Sequence, residues 1–466
     1  MSSRRKFLEQ ITAAGIAAAA SGQLAHAADS WPPMMLHGAG SAESEASDIL
    51  TYKQYLEKSF VPREVIDHFI QEPGWAKFDP ELGYLLNSSL QADGIDHSST
   101  FSTVQANGAR TSYMYAGRKP RINTYGDSFT ECHQVSDGET WQEVLAAHLG
   151  EPIGNFGMGG FGVYQAYLRM LREERTDHGA EYLIFYIWGD DPIRSLYRSR
   201  WAAIYRGFKA SPKTLPAFFH ANFWSNVEMD LDSGRMVEKE QLLTTKESLY
   251  NMTDPQWMVD HLLDDLAVQL WAYKAGSSRD LDRDKITKLA ARLNFPFDWS
   301  LPDQHAADRK PWPAQNPMTP MQFQTEALLD LYSMRATQFI LDKVRAFAAQ
   351  NNKKLMVVLF DPYRGMVQMK NSGTRYDQEI VDYLVKEGVN YFDMNEVHLR
   401  DFKKFNLSWE EYMYRYFNGH YNPAGNLFFA FSIKDKIVEW LDPKPIPYQK
   451  PDQQQISFKG YLDGYR

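Results

Sequence analysis

The sequence predicts an α/β protein in which a parallel sheet lies between two layers of helices, a three-layer α/β/α sandwich. The chain alternates between short apolar runs and stretches in which apolar residues recur with helical spacing. One of these runs, Tyr182–Trp188, is apolar at nearly every position, as expected of a strand that is buried on both faces. Alternation of this kind is typical of a parallel sheet that is covered by helices.

Each main element follows from this pattern. The predicted strands are 121–125, 152–156, Tyr182–Trp188, Lys354–Phe360 and Asn390–Asp393. The predicted helices of the sandwich are 140–149, 163–175, 322–350, 376–387 and 426–441. Ligands of parallel sheets bind at the carboxyl ends of the strands. We therefore expect functional residues in the loops that follow the strands.

The same pattern divides the chain into parts. The expected parts are an export signal at 1–27, an N-terminal extension at 28–116 that packs on the main domain, a main domain at 117–445 and a tail at 446–466. A helix is expected within 52–69. Residues 192–320 interrupt the alternation and are rich in Trp, Pro and charge, with helical patterns at 256–274 and 282–293. We interpret them as a mostly helical insertion, which either caps the site or only packs against the body.

The N-terminus has the pattern of an export signal. Arg4, Arg5 and Lys6 precede an alanine-rich apolar stretch, and Ala25-His26-Ala27 fits a small-x-small cleavage site. The start resembles the twin-arginine signal, whose clients cross the membrane already folded. We therefore expect a periplasmic or otherwise exported mature protein without a stable membrane span.

Composition excludes several other classes. The formal net charge is −9 and no basic stripe occurs, so a nucleic-acid partner is not expected. Cys132 is the single cysteine, which rules out an intramolecular disulfide and a cysteine zinc cluster. The spacing of His97, His133 and His148 matches no metal site. We expect neither a metal nor a cofactor, and the oligomeric state is left open.

Four short motifs occur in order along the predicted main domain. The first is Gly126-Asp127-Ser128, which sets a serine where a strand gives way to a helix, and strand–helix junctions of this kind suit a nucleophile. The others are the glycine-rich segment 155–160, the segment 188–191 after the apolar strand, and the segment 419–425, which contains His420. A histidine in a loop ahead of a helix at the sheet edge is a candidate base for the serine.

The ordered set resembles the SGNH (GDSL-type) hydrolase family, whose blocks read GDS, N-x-G-x-x-G, G-x-N-D and an Asp-preceded His. The resemblance covers most of 121–441 outside the insertion and implies a flavodoxin-like five-stranded sheet. It also implies that Ser128 is the nucleophile and His420 the base. The backbone amides of Gly160 and Ser128 would hold the oxyanion.

Two positions depart from the family. Asp190 stands where the family has an asparagine that helps to hold the oxyanion, and an ionised carboxylate there would repel the developing charge. Asn418 stands where the family has the aspartate that orients the base. Asp393 and Asp361, each at the end of a predicted strand, are the other candidates for the orienting group, and the sequence does not choose between them. Asp191 matches the family's aspartate in its block, where a structural role is expected.

The resemblance implies an esterase that acts on small acyl esters, including acetyl groups on carbohydrate. An exported acyltransferase for polysaccharides would use the same Ser128 and His420 on the same scaffold. A binding protein that kept the fold and lost the activity is the third alternative, and the departures at Asp190 and Asn418 support it.

Overall fold

The computed structural model describes residues 50–72, 74–205, 223–302 and 318–449, except for the side chains of 204 and 205. The predicted export signal, residues 28–49 of the predicted extension and residues 450–466 of the predicted tail lie outside the described residues.

The N-terminal layer consists of short helices and hairpins. Its elements are α1 (Tyr52–Glu57), α2 (Arg63–Gln71), β1 (Ala76–Asp79), β2 (Gly83–Leu86), β3 (Ser89–Gln91) and β4 (Thr100–Ser102). The strands pair as β1–β2 and β3–β4, both antiparallel. The sequence predicts one helix in 52–69, whereas the structure has two helices there and two hairpins after them. Pro62 at the start of α2 divides that stretch, because proline disfavours a helical conformation in the residue before it.

The first half of the main domain closely follows the predicted pattern. Its elements are β5 (Ile122–Tyr125), α3 (Ser128–Glu131), α4 (Trp141–Leu149), β6 (Ile153–Asn155), α5 (Val163–Glu174), β7 (Tyr182–Trp188) and α6 (Asp191–Arg194). Helix α4 shows why the boundaries were predictable. The Thr140 side chain caps its first turn, and Gly150 ends it in a left-handed conformation with φ 72°.

The described part of the insertion contains helices and a hairpin. Its elements are β8 (Asn226–Asp230), β9 (Arg235–Lys239), α7 (Pro255–Leu262), α8 (Leu266–Lys274) and α9 (Arg283–Arg292). The antiparallel β8–β9 pair was not predicted. The single helix expected at 256–274 is divided into α7 and α8, because the Asp265 side chain accepts a hydrogen bond from the Val268 amide and begins a new helix.

The second half returns to the alternation. Its elements are α10 (Pro320–Gln350), β10 (Lys354–Phe360), α11 (Arg364–Ser372), α12 (Gln378–Lys386), β11 (Asn390–Asp393), α13 (Met394–Phe402), α14 (Trp409–Tyr416) and α15 (Pro423–Trp440). The short helices α11, α13 and α14 were not predicted.

Five of these strands form one sheet in which all neighbours are parallel, in the order β11-β10-β7-β5-β6. The predicted α/β class and five-stranded parallel sheet are confirmed. Numbered along the chain within the sheet, the order is 2-1-3-4-5, which is that of flavodoxin-like sheets. The direction of winding reverses between β5 and β7, and such a switch point is where ligands bind in open sheets of this kind.

The core lies on both faces of the sheet. Alternate residues of β7 belong to different apolar clusters, with Leu183 and Phe185 in one and Ile184 and Tyr186 in the other. The first cluster includes side chains of α5 and α10, and the second includes side chains of α4 and α15. This arrangement is compatible with a three-layer sandwich.

Across the described residues, no helix combines the length and the apolar character that crossing a membrane requires.

Candidate active site

The serine of the first motif lies at the carboxyl end of a central strand. Strand β5 ends at Tyr125, and Asp127 caps the short helix α3 by accepting a hydrogen bond from the Phe129 amide at 3.0 Å. Ser128 is the first residue of α3 and is 9 % exposed. The cap and the strand together fix the backbone that carries the Ser128 hydroxyl.

His420 reaches this serine from the loop between α14 and α15. The loop is closed by a bridge between Phe417 and Tyr421, and Asn422 caps α15 by accepting from the Gly425 amide at 2.9 Å. The Nε2 atom of His420 lies 2.8 Å from the Ser128 hydroxyl oxygen. The structure thus brings together two residues that are 292 positions apart in the chain. At this distance Nε2 can accept the hydroxyl proton.

The other ring nitrogen of His420 faces an amide rather than a carboxylate. The Oε1 atom of Gln134 lies 3.0 Å from Nδ1 and also accepts from the His420 backbone amide at 2.8 Å. Gln134 is 5 % exposed and donates from Nε2 to the backbone carbonyl of Asp93 at 3.0 Å. Sequence reasoning missed Gln134. A single glutamine in a loop carries no pattern that would identify it.

The carboxylates proposed from sequence to orient the base have other partners. Asp361 accepts from the Tyr376 hydroxyl at 2.8 Å and from the amides of Tyr363 and Arg364. Asp393 pairs with Arg375 and caps α13. Burial raises the pKa of both carboxyls. The structure therefore assigns both aspartates to the packing of the strand ends, and the contact with Nδ1 is made by Gln134.

Asn418, which occupies the position of the family's aspartate, also points elsewhere. Its side-chain Nδ2 lies 3.4 Å from the Asp93 carbonyl, and its buried Oδ1 has no hydrogen-bond partner among the described residues. Its backbone amide donates to the His420 carbonyl at 3.0 Å. Asn418 thus shapes the turn that carries His420.

A buried acidic pair, Asp127 and Asp191, lies beside Ser128. Asp127 Oδ2 is 3.3 Å from the Ser128 hydroxyl, and burial raises the pKa of Asp127 to about 6. Burial, with the charge of Asp127, also raises the pKa of Asp191, which accepts from the Trp188 amide and pairs with Arg194 at 3.0 Å. Asp191 thus has the structural role expected from sequence. Arg194 lowers the cost of keeping these carboxyls near one another.

In the glycine-rich segment after β6, the backbone amide of Gly160 has no hydrogen-bond acceptor among the described residues. The Gly157 amide donates to Asn155 Oδ1 at 3.0 Å, and the Gly159 amide donates to Glu131 Oε2 at 2.6 Å. Gly160 has φ +81°, in the left-handed region that favours glycine. Across the part of the chain that the structure describes, the backbone amides of Gly160 and Ser128 donate to no acceptor. Both remain available as donors to an oxyanion.

Asp190 lies at the N-terminus of α6, and its side chain is 57 % exposed. Its nearest cation is Arg194, at 3.9 Å. The exposed carboxylate supplies no hydrogen-bond donor in its ionised form.

The N-terminal layer contributes to the rim beside His420. Trp75 donates from its ring nitrogen to Glu131 at 2.7 Å, and Asp93 lies 3.3 Å from His133. Burial opposes protonation of His133, but the carboxylates of Glu131 and Asp93 outweigh burial and raise its pKa. The rings of His133 and His420 are 5.0 Å apart. Residues of the N-terminal layer thus contact the loop that lies beside His420.

Among the described residues, no group of three or more His, Cys, Asp or Glu side chains is arranged to hold a metal ion.

No protein-family model and no curated protein matches this chain.

Proposed function

We propose that this chain is a serine hydrolase of the SGNH type that cleaves small acyl esters, including acetyl esters on carbohydrate. The observation that carries the proposal is the 2.8 Å contact between Ser128 and His420. Its position supports the proposal further, because Ser128 follows β5 at the switch point of a sheet with flavodoxin-like order. A helical layer on each face of this sheet, as in the proposed three-layer sandwich, would hold both residues in place.

The reaction would run in two halves. The Ser128 hydroxyl oxygen attacks the ester carbonyl carbon while Nε2 of His420 takes the hydroxyl proton. The tetrahedral intermediate collapses, and the leaving alkoxide takes that proton from Nε2 and departs as the alcohol. Water then attacks the acyl-serine with His420 again as base, which releases the carboxylic acid and restores Ser128.

Stabilisation of the oxyanion would come from backbone amides. The backbone amides of Ser128 and Gly160 donate to no acceptor among the described residues, and the two residues follow the neighbouring strands β5 and β6. Asp190 cannot replace the family's asparagine as a donor while it is ionised, and the loss of one such donor typically lowers kcat about 100- to 1,000-fold. A slower enzyme than typical serine esterases is therefore expected.

The proposal is tested with a fluorophosphonate probe and p-nitrophenyl acetate. We expect labelling at Ser128 and acetate release, both of which Ser128→Ala abolishes. Thr130→Ser is the matched control, because Thr130 is a buried hydroxyl residue on the same helix. Absence of labelling together with absence of hydrolysis would favour a binding protein. Acetyl transfer to a sugar acceptor in place of acetate release would assign an acyltransferase.

Export to the periplasm is part of the same proposal and rests on the N-terminal sequence pattern. Sequencing of the mature N-terminus in the native host tests it. A chain that begins at Ala28 agrees with cleavage after Ala27, and a chain that retains Met1 contradicts it.

A further inference from the structure

We propose that Gln134 is the positioning residue for His420, in the place where serine hydrolases commonly have a carboxylate. The inference rests on the proposed function, since it concerns the base of the same reaction. It assigns a role to a residue outside all four sequence motifs.

The orientation of the Gln134 amide is determined by two backbone groups, one of which can only donate and the other only accept a hydrogen bond. Its Oε1 accepts from the His420 backbone N–H, which can only donate, and its Nε2 donates to the Asp93 carbonyl, which can only accept. The oxygen must therefore face the His420 ring. Because this oxygen cannot donate, Nδ1 must carry the hydrogen across the 3.0 Å contact. The lone pair of a neutral imidazole is then on Nε2, toward Ser128.

A residue of the N-terminal layer, Arg110, holds the loop that carries Gln134. Arg110 is 2 % exposed and donates to the backbone carbonyls of Glu131 and Cys132 at 2.6 and 2.7 Å. It also pairs with the buried Asp137 at 2.8 Å. These contacts fix the loop on both sides of Gln134, whose own backbone has φ +69°.

The loop of His420 is shaped to fit this amide. Gly419 has φ +107°, and a Cβ atom at this position would lie 2.8 Å from Gln134 Oε1. A side chain at 419 would therefore displace the Gln134 amide from its contact with His420, and the positive φ also favours glycine here. Both loops are therefore built around the same contact.

A neutral amide does part of the work of a carboxylate. It selects the productive tautomer, and loss of this selection costs about 10,000-fold when an aspartate is replaced by asparagine in a serine-protease triad. It does not compensate the positive charge that His420 acquires when it takes the proton. Restoring a carboxylate at 134 should therefore stabilise the protonated imidazole.

The test compares Gln134→Leu, Gln134→Glu and Gln241→Glu. Gln241 is the matched control, since it is a buried glutamine in the insertion that donates to the Leu243 carbonyl. Two quantities are measured: the pH dependence of kcat/KM, and the titration of the His420 imidazole by NMR. Circular dichroism checks that each variant folds.

We expect Gln134→Leu to lower kcat at least about tenfold, with a smaller change in KM, because orientation of the base is lost. An opposite charge at this distance raises the pKa of a histidine by about 1 to 3. Gln134→Glu should therefore move the NMR titration of His420 and the acidic limb of kcat/KM to higher pH by at least about 1. Gln241→Glu should move neither.

An unchanged His420 titration in both Gln134→Glu and Gln134→Leu would overturn the proposal, because a carboxyl at 134 that keeps its proton to donate to the Asp93 carbonyl brings no charge. The proposal would also be overturned if Asn418→Asp moved the His420 titration further than Gln134→Glu does, because the positioning role would then belong to residue 418. The NMR titration needs no turnover, and it therefore decides the contact even if Ser128 fails to react with the fluorophosphonate. The esterase proposal and the Gln134 proposal can fail separately. If Gln134→Leu does not fold, Gln134→Glu, which preserves the side-chain shape, still gives the result.

Discussion

His398 and His420 both have a hydrogen-bond partner at each ring nitrogen, but they differ in exposure to solvent. His398 has Tyr412 at Nδ1 and Tyr421 at Nε2, at 2.9 and 2.7 Å, and is fully buried. His420 has Gln134 and Ser128 in the corresponding places and is partly exposed. The two histidines are also close in the structure, because Tyr421, which binds His398, directly follows His420 in the chain.

Their surroundings account for the difference. Aromatic rings enclose His398, and burial lowers its pKa to about 3. It therefore stays neutral over most of the pH range and serves as a hydrogen-bonding element of the core. His420 instead faces a hydroxyl at the edge of the sheet, where a reacting group can approach. Two hydrogen bonds are not enough to make an imidazole a base, because a base must also be able to hold the proton near a substrate.

The largest expected difference between the two histidines is in activity. We expect His420→Ala to lower kcat about 10,000- to 1,000,000-fold, as removal of a serine-hydrolase base does. Because the base and the nucleophile act as a unit, His420→Ala combined with Ser128→Ala should be no slower than either variant alone. Ester hydrolysis under saturating substrate measures both effects. A double variant that is slower by the product of the two single losses would contradict the pairing.

His398 should instead control stability in acid. The unfolded histidine binds a proton below about pH 6.5, whereas folded His398 resists it down to about pH 3, so stability falls as the pH drops through this window. A pKa lowered from 6.5 to about 3 corresponds to up to about 5 kcal/mol in the free energy of unfolding. His398→Phe should remove most of this dependence, measured by urea unfolding between pH 7 and pH 4. The exposed His97→Gln is the control, and an unchanged slope in His398→Phe would contradict the assignment.

Arg110 tests how firmly the loop beside His420 is held. Arg110→Met leaves Asp137 buried without its cation, and breaking a buried pair of this kind typically costs about 3 to 5 kcal/mol. The free energy of unfolding should fall by that amount, and kcat should fall with it because the loop of Gln134 is released. Arg118→Met is the control, since Arg118 is exposed and binds one backbone carbonyl. An equal loss in both variants would mean that burial of Arg110 contributes little.

Asp127 should give the smallest effect, with a pH dependence opposite to that of His398. Its raised pKa means that the folded carboxyl keeps its proton up to about pH 6, whereas the unfolded one ionises near pH 4. Stability should therefore fall by about 2 to 3 kcal/mol as the pH rises from 4 to 6. Asp127→Asn keeps a good helix cap and should remove this fall in urea unfolding curves. Asp96→Asn, at an exposed position, should leave the fall in place, and its loss there would contradict the assignment.

The sequence was sufficient for the sheet and for the pairing of Ser128 with His420. Runs such as Tyr182–Trp188 are recognisable because a strand that is buried on both faces is apolar at nearly every position. Parallel topology then brings the loops after the strands to one edge, so residues far apart in the chain were expected to meet.

The rest depended on contacts between segments that carry no local pattern. Gln134 faces His420 because Asp93 and Arg110, both in the N-terminal layer, hold its side chain and its loop. The neutral state of His398 depends on aromatic rings from β10, from α15 and from the loop between α14 and α15. The esterase activity and the export signal stay predictions. Asp361 and Asp393, two of the candidates for the orienting group, have other partners in the structure, whereas Gln134 contacts Nδ1 of His420.

The contacts of Arg110 limit how far the chain can be shortened from its N-terminus. Sequence patterning places the start of the main domain at residue 117, seven positions after Arg110. A fragment that begins there would retain every strand of the parallel sheet, together with Ser128 and His420. It would lack Arg110, which binds the carbonyls of Glu131 and Cys132, and Asp93, whose carbonyl binds Gln134. A fragment that is to keep the geometry around His420 therefore needs Asp93 and Arg110 in addition to the sheet and its helices.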